Sequence, residues 1–301
     1  MTSTPPTPAA RQSRLPAWLR ALRPKQWVKN VLVVAAPLAA GRLFEPAVAL
    51  ATLWAMIAFC LVSAAIYVFN DIRDVAADRQ HPTKRLRPIA AGELSPRIGY
   101  LLAAVCLAAG LALGTWTSPQ LGVTLAIYVV LQVAYSLFFK HQPIIDLAMV
   151  AAGFLLRAIA GGVASGIPLS QWFLLVASFG SLFMVAGKRY SELHQLGAEA
   201  GTRLSLERYS DSYLRLVWSV ALGVVIMSYS LWAFDEGRGP QLWSVPWTAI
   251  SIAPFTLALL RYAMRIDQGR AGEPEEIVMS DRVLQVLAVV WVALVGLAVF
   301  A

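Results

Sequence analysis

Asn70, Asp71, Asp74 and Asp78 place three carboxylates at i, i+3 and i+7, after an amide oxygen, where a long apolar run from Ala47 to Phe69 stops. On a helix this spacing puts the acids on one face. Bare carboxylates gathered there repel one another, so a divalent cation or a strong cationic partner must hold them. Mg²⁺ takes oxygen ligands and usually keeps waters and substrate phosphates in its shell. Asn70, Asp71, Asp74 and Asp78 are therefore candidate metal ligands, and the three aspartates are candidate catalytic groups. Tyr67 lies one turn earlier on the same face. A cationic group follows at once: Lys84, Arg85 and Arg87, after a helix stop at His81-Pro82. These cations suit phosphates, and His81 serves either a phosphate or the helix end as a cap. Carboxylates, Mg²⁺ and bound phosphate at the end of an apolar run suggest an enzyme acting on a diphosphate. The competing reading is a solvated loop whose acids pair with Arg73, Arg79 and Lys84.

Three more groups have chemical potential. Arg23, Lys25, Gln26, Trp27, Lys29 and Asn30 are either interfacial anchors or a phosphate site beside the acidic loop. Lys188, Arg189 and Glu192 offer either a surface i, i+4 pair or cations that face the acidic helix and neutralise a second phosphate. Tyr135 and Lys140 precede Asp146, which lies just inside an apolar run that also holds Arg157. An intramembrane charge costs at least about 2.5–3.5 kcal/mol, so these two must face protein or a cavity. Their separation of 11 residues is close to three turns and puts them on one face, towards substrate or towards another helix.

The elements that must carry these residues are membrane helices. Of 301 residues, 58% are hydrophobic and 14% charged, where a soluble chain carries about 25% charged. Mean hydropathy is +0.63. Continuous apolar runs of about 20 residues exclude the alternation of a barrel. The expected fold is all-α and polytopic, with nine spans near 28–40, 48–70, 98–115, 119–139, 144–163, 170–187, 213–233, 244–263 and 283–300. Residues 1–16 read as a disordered tail without an apolar signal core, and 17–301 as one transmembrane domain. Cys60 and Cys106 sit in apolar runs without ligand spacing and read as packing residues. Under this topology 22 of the 25 cationic side chains fall on one side, with Arg42 and Arg238 opposite and Arg157 inside a span. The positive-inside rule then puts the N-terminus and the long loops 71–97 and 188–212 in the cytoplasm, in an inner membrane, and the C-terminus outside. The net charge of +8 is thus a membrane signal rather than a nucleic-acid one.

Together these residues resemble the UbiA-type intramembrane prenyltransferase superfamily. The pattern Asn70-Asp71-x-x-Asp74-x-x-x-Asp78 is similar to its first aspartate motif. The resemblance implies nine helices around a central lipid-open cavity under cytoplasmic cap loops, and Mg²⁺ as cofactor. One departure stands out: the second acidic motif of members that ionise a prenyl diphosphate is replaced by Lys188-Arg189-x-x-Glu192. The Arg23–Asn30 segment, the run from Asp78 through His81 to Arg87-Pro88, Lys188-Arg189-Tyr190, Gly272–Glu275 and Asp281–Gln285 resemble one branch closely. For that branch the implied reaction is transfer of 5-phosphoribose from phosphoribosyl pyrophosphate (PRPP) to a polyprenyl (decaprenyl) phosphate, serving cell-wall arabinan synthesis. The implied partners are PRPP, the polyprenyl phosphate and the bilayer, with a homo-oligomer left open. The alternatives are prenyl transfer to an aromatic acceptor, which the Lys188-Arg189 pair opposes, and a transporter, which would carry broken helices and midplane charges.

Overall fold

The computed structural model describes residues 15–196, 208–236, 245–272 and 274–300. The expected tail lies almost wholly outside these residues, as do Arg203, Arg238 and Glu273. The described chain is helical throughout, without strands. A short α1 (Ala17–Ala21) leads into a 3₁₀ stretch, Pro24–Val34, and α2 (Ala35–Ala39). Then come α3 (Pro46–Arg73), α4 (Val75–Gln80), α5 (Pro96–Thr117) and α6 (Pro119–Ala134), which continues as a π-turn over Tyr135–Phe139. They are followed by α7 (Ile145–Ser165), α8 (Gln171–Leu196), α9 (Asp211–Glu236), α10 (Trp247–Asp267), α11 (Pro274–Ser280) and α12 (Arg282–Phe300).

Seven of these helices are long and apolar enough to cross a membrane, and Arg282–Ala298 is a shorter apolar one. Their starts follow from local chemistry. Pro46, Pro96 and Pro119 occupy first-turn positions, where no backbone N–H is required. Ser95 and Ser118 accept from the N–H groups of Ile98 and Leu121 at 3.3 and 3.1 Å. At 28 residues α3 spans about 42 Å, longer than a hydrocarbon core of about 30 Å. Its last turn, with Asn70, Asp71 and Arg73, therefore projects into the interface.

The expected first span, 28–40, departs from a continuous α-helix. Residues 24–34 wind as a 3₁₀ helix, whose rise of about 2 Å per residue extends the chain further for its length. Runs this long are uncommon, and tertiary contacts hold this one. Asn30 donates to Ser63 Oγ at 3.3 Å and accepts from Arg157 Nε at 2.8 Å. Gly161 of α7 lets the stretch approach, since a Cβ there would lie 1.8 Å from the Val33 carbonyl oxygen.

Candidate active site

The acidic face forms where α3 ends and α4 begins. Asp74 sits at the break, but its N–H still donates to Asn70 O at 2.9 Å and Asp78 N–H to Asp74 O at 2.8 Å. The two helices thus run on with nearly helical phase. At about 100° per residue, Asp71 and Asp78 fall within about 20° of each other and Asp74 about 60° aside. The contacts follow this phase. Asp71 and Asp78 are both 3% exposed and share Arg87, whose Nη1 donates to them at 3.1 and 2.6 Å. Asp71 also pairs with Arg23, whose guanidinium lies 5.4 Å over the Tyr67 ring. Asp74 is more open and pairs with Lys140 Nζ at 3.1 Å. All three acids lie within about 60° of one another, as expected of one face, but their partners divide: Asp71 and Asp78 share Arg87, and Asp74 meets Lys140 in the connector between α6 and α7.

The flanking cations divide. Arg87 turns inward. Arg85 is exposed and Lys84 half-buried in a single 3₁₀ turn. His81 Nδ1 accepts from the backbone N–H groups of Thr83 and Lys84 at 3.3 and 3.4 Å, so its ring caps that turn. In the N-terminal segment Arg23 reaches the acids, Lys25 is exposed and Gln26 half-buried. Asn30 is buried as a structural partner of Arg157.

A cavity of about 620 Å³ follows α8 from Phe173 to Arg189, roughly 24 Å along the helix axis, and Asn70, Asp71, Asp74 and Asp78 lie outside its lining. Leu32, Phe154, Phe183, Val225 and Phe255 give it an apolar wall. Lys29, Tyr135, Lys188 and Arg189 line it as well, the last two in the final turns of the α8 stretch. Arg189 is 5% exposed and is held by Glu192 at 2.9 Å and Asp146 at 3.5 Å. Lys188 is looser, with Nζ 3.9 Å from Glu192 and 41% of its side chain exposed. Of the two cations, Lys188 is the better placed to meet a new anion.

Asp146 and Arg157 share a helix but not a partner. Asp146 goes to Arg189 and to the hydroxyl of Tyr209. Arg157 spends its donors on neutral oxygens: Asn30 Oδ1, Gly153 O at 2.6 Å and Tyr128 Oη at 2.9 Å. Its guanidinium also lies 4.9 Å over the Tyr128 ring and 5.7 Å over Phe59. Arg157 thereby braces the 3₁₀ stretch against α7. Tyr209, absent from the sequence-based candidates, lies in a loop without periodicity, so no pattern could flag it. Burial and the bond to Asp146 push its hydroxyl well above the ordinary phenol range.

The donor set suits a hard cation in part. Asn70 Oδ1 is buried without a hydrogen-bond partner beside the carboxylates, as a free oxygen ligand would be. Among the described residues no three acidic, histidine or cysteine side chains converge to form a metal site by themselves. Mg²⁺ does not require that, because it retains waters and is shared with substrate phosphates.

Comparisons with known proteins fit this arrangement. Residues 31–280 match the UbiA prenyltransferase family. The chain is 48% identical to a decaprenyl-phosphate phosphoribosyltransferase of Mycolicibacterium smegmatis, over 98% of this chain and 96% of that protein. It is 51% identical to one of Corynebacterium glutamicum, over 94% of this chain and 86% of that protein. The structure of a UbiA homolog from Archaeoglobus fulgidus bound to GPP and Mg²⁺ superposes with a TM-score of 0.70 at 18% identity, covering 95% of this chain and 100% of that one.

Proposed function

The chain belongs to the UbiA prenyltransferase family, and from that premise we propose that it transfers 5-phosphoribose from PRPP to a polyprenyl phosphate, decaprenyl phosphate in particular. The observation that carries this reading is the charge arrangement at the ends of two helices. The end of α3 is acidic and the end of α8 is cationic, and the cationic end closes one long apolar cavity. A prenyl diphosphate donor has one polar group and would leave Lys188, held only loosely by Glu192, without a substrate anion to meet. PRPP and the lipid bring a pyrophosphate, a 5-phosphate and a lipid phosphate, three anionic groups to be divided between two sites. The near-full-length identity to decaprenyl-phosphate phosphoribosyltransferases supports the same reading.

The isoprenoid tail lies along α8 among Leu32, Phe154 and Phe183, and the lipid phosphate rests by Lys29 and Lys188. The pyrophosphate of PRPP approaches the acidic face, where Arg23 and Arg87 stand ready to contact it. Asn70, Asp71, Asp74 and Asp78 would hold Mg²⁺, which would supply positive charge against the leaving pyrophosphate. Arg23, Arg87 and Lys140 add fixed positive charge that need not reorganise during the reaction. The bond from ribose C1 to the pyrophosphate oxygen breaks, and its electron pair departs with pyrophosphate. A lipid phosphate oxygen attacks C1 from the opposite face. A phosphate monoester is already anionic at neutral pH, so the step needs no strong general base. The site lies on the cytoplasmic side of the inner membrane in this reading.

The test is incubation of the purified protein with Mg²⁺, PRPP and decaprenyl phosphate, followed by mass analysis of the lipid. A gain of one phosphoribosyl group is expected. Turnover of a prenyl diphosphate with an aromatic acid in its place would overturn the assignment.

A further inference from the structure

The link between α6 and α7 is the most strained segment described. After the π-turn and Lys140 the chain makes a tight three-residue turn: Ile145 N–H donates to Pro143 O at 2.8 Å, with Ile144 at φ 68° and ψ −51°. A three-residue turn of this hand is rare and strained. A β-branched residue at positive φ is a true outlier. Such strain persists only where the surroundings over-determine it.

One side chain does this. The Tyr209 hydroxyl accepts from Ile144 N–H at 2.6 Å and donates to Asp146. Asp146 is fully buried, and its other carboxylate oxygen faces Arg189 at 3.5 Å. The Tyr209 ring stacks on Tyr213 of α9 with centroids 6.1 Å apart, anchoring it to the next helix. Tyr209 is outside the cavity lining, so it acts through its neighbours. The linker has a functional contact at each end: Lys140 reaches Asp74 on the acidic side, and Asp146 holds Arg189 on the cavity side.

We infer that Tyr209 is a positioning residue, whose hydroxyl locks the 140–146 linker so that Lys140 and Arg189 are held in register across the two substrate subsites. The inference rests on the phosphoribosyl transfer reading. The raised hydroxyl pKa fits it, because the group stays a donor to Asp146 throughout the accessible pH range.

The test uses the full chain in nanodiscs, with Tyr209→Phe, Lys140→Gln and the double variant. Wild-type turnover of PRPP and decaprenyl phosphate checks the underlying reading first. Removing the hydroxyl leaves the part-buried Ile144 N–H and a buried Asp146 carboxylate oxygen unmatched, so Tyr209→Phe should lower kcat by about 10–100-fold. In the Lys140→Gln background the further loss should be several-fold smaller than in the wild type, the remainder being the share carried through Asp146 and Arg189. An equal loss in both backgrounds would mean generic destabilisation and overturn the inference. Hydrogen exchange gives a readout independent of activity. Peptides covering 140–146 should exchange at least about tenfold faster in Tyr209→Phe, with those of α3 unchanged. Unchanged exchange at 140–146 would overturn the inference even if the wild type turned over normally. An inactive wild type with faster exchange in the variant would uphold the lock and sink the phosphoribosyl reading alone.

Discussion

Arg87 is the keystone of the acidic face, and replacing it separates structural from catalytic consequences. Its Nη1 lies 2.6 Å from Asp78 and 3.1 Å from Asp71. Asp71 retains Arg23 if Arg87 is lost. Asp78 has no other cationic partner among the described residues and is 3% exposed. Arg87→Met therefore strands one carboxylate. Breaking a buried pair costs about 3–5 kcal/mol. Arg87 keeps 27% of its side chain exposed, and solvent there screens part of the interaction, which lowers the expected cost to about 2–3 kcal/mol. For a chain of this size that corresponds to a fall of roughly 3–5 °C in the unfolding midpoint, readable by thermal denaturation in detergent. Adding Asp78→Asn removes the stranded charge, so the double variant should recover most of the midpoint while remaining inactive. An equal fall from Arg87→Met in the Asp78→Asn background would refute the reasoning, because the loss would then not come from that pair.

Asp71→Asn keeps the shape of a buried carboxylate, so it should fold yet lose about 10²–10³-fold in rate, the scale of one electrostatic stabiliser; near-normal turnover at low Mg²⁺ would remove Asp71 from the metal site. Lys188→Ala should raise KM for one phosphate substrate about tenfold or more, the cost of one charged hydrogen bond, and kinetics varying each substrate separately will show which; an unchanged KM for both would take Lys188 out of the binding site. In sealed cells a membrane-impermeant thiol reagent should label Ser170→Cys but not Ala91→Cys; the reverse would invert the topology. Asp281 is held below the ordinary carboxylate range by hydrogen bonds from Arg265 and Arg261. Its contribution is thus present above its unfolded value near 3.8 and lost as pH falls through the lower folded value. Asp281→Asn should unfold at a lower temperature than wild type at neutral pH, with the gap closing below about pH 4; a gap that persisted there would point to lost capping of α12 instead.

Local signals made much of the architecture legible. Proline at first-turn positions and the Ser95 and Ser118 caps mark helix starts that need no tertiary information. The 3₁₀ stretch was not legible, because it depends on Asn30 meeting Arg157 and on Gly161 admitting the Val33 carbonyl, contacts more than 100 residues apart. The acidic motif stood out by spacing, but spacing does not show that Asp71 and Asp78 share Arg87 while Asp74 meets Lys140. For Asp146 and Arg157 the spacing left the partners open, for a general reason. Equal phase on one helix says which residues share a face, not what packs against it, and here that face meets Asn30 at one level and Tyr209 at another.

The two charged helix ends also differ in how firmly they are bound within the protein, and this bears on how substrates enter. Arg189 is clamped by two acids and nearly excluded from solvent, so exchanging its partners for a phosphate would strand Asp146, which is fully buried. Asp71 sits between two arginines that each keep about a quarter of their side chains exposed. Those arginines can turn towards a pyrophosphate while remaining beside the carboxylates. The acidic side is thus built to accept a new anion through its cations, whereas the cationic side relies on Lys188, with Arg189 fixing the geometry behind it. This asymmetry suits a soluble, highly charged donor that arrives from the aqueous side and a lipid phosphate that slides in along an apolar wall. It also explains why the linker between the two ends is the strained segment, since Lys140 and Asp146 must serve both at once.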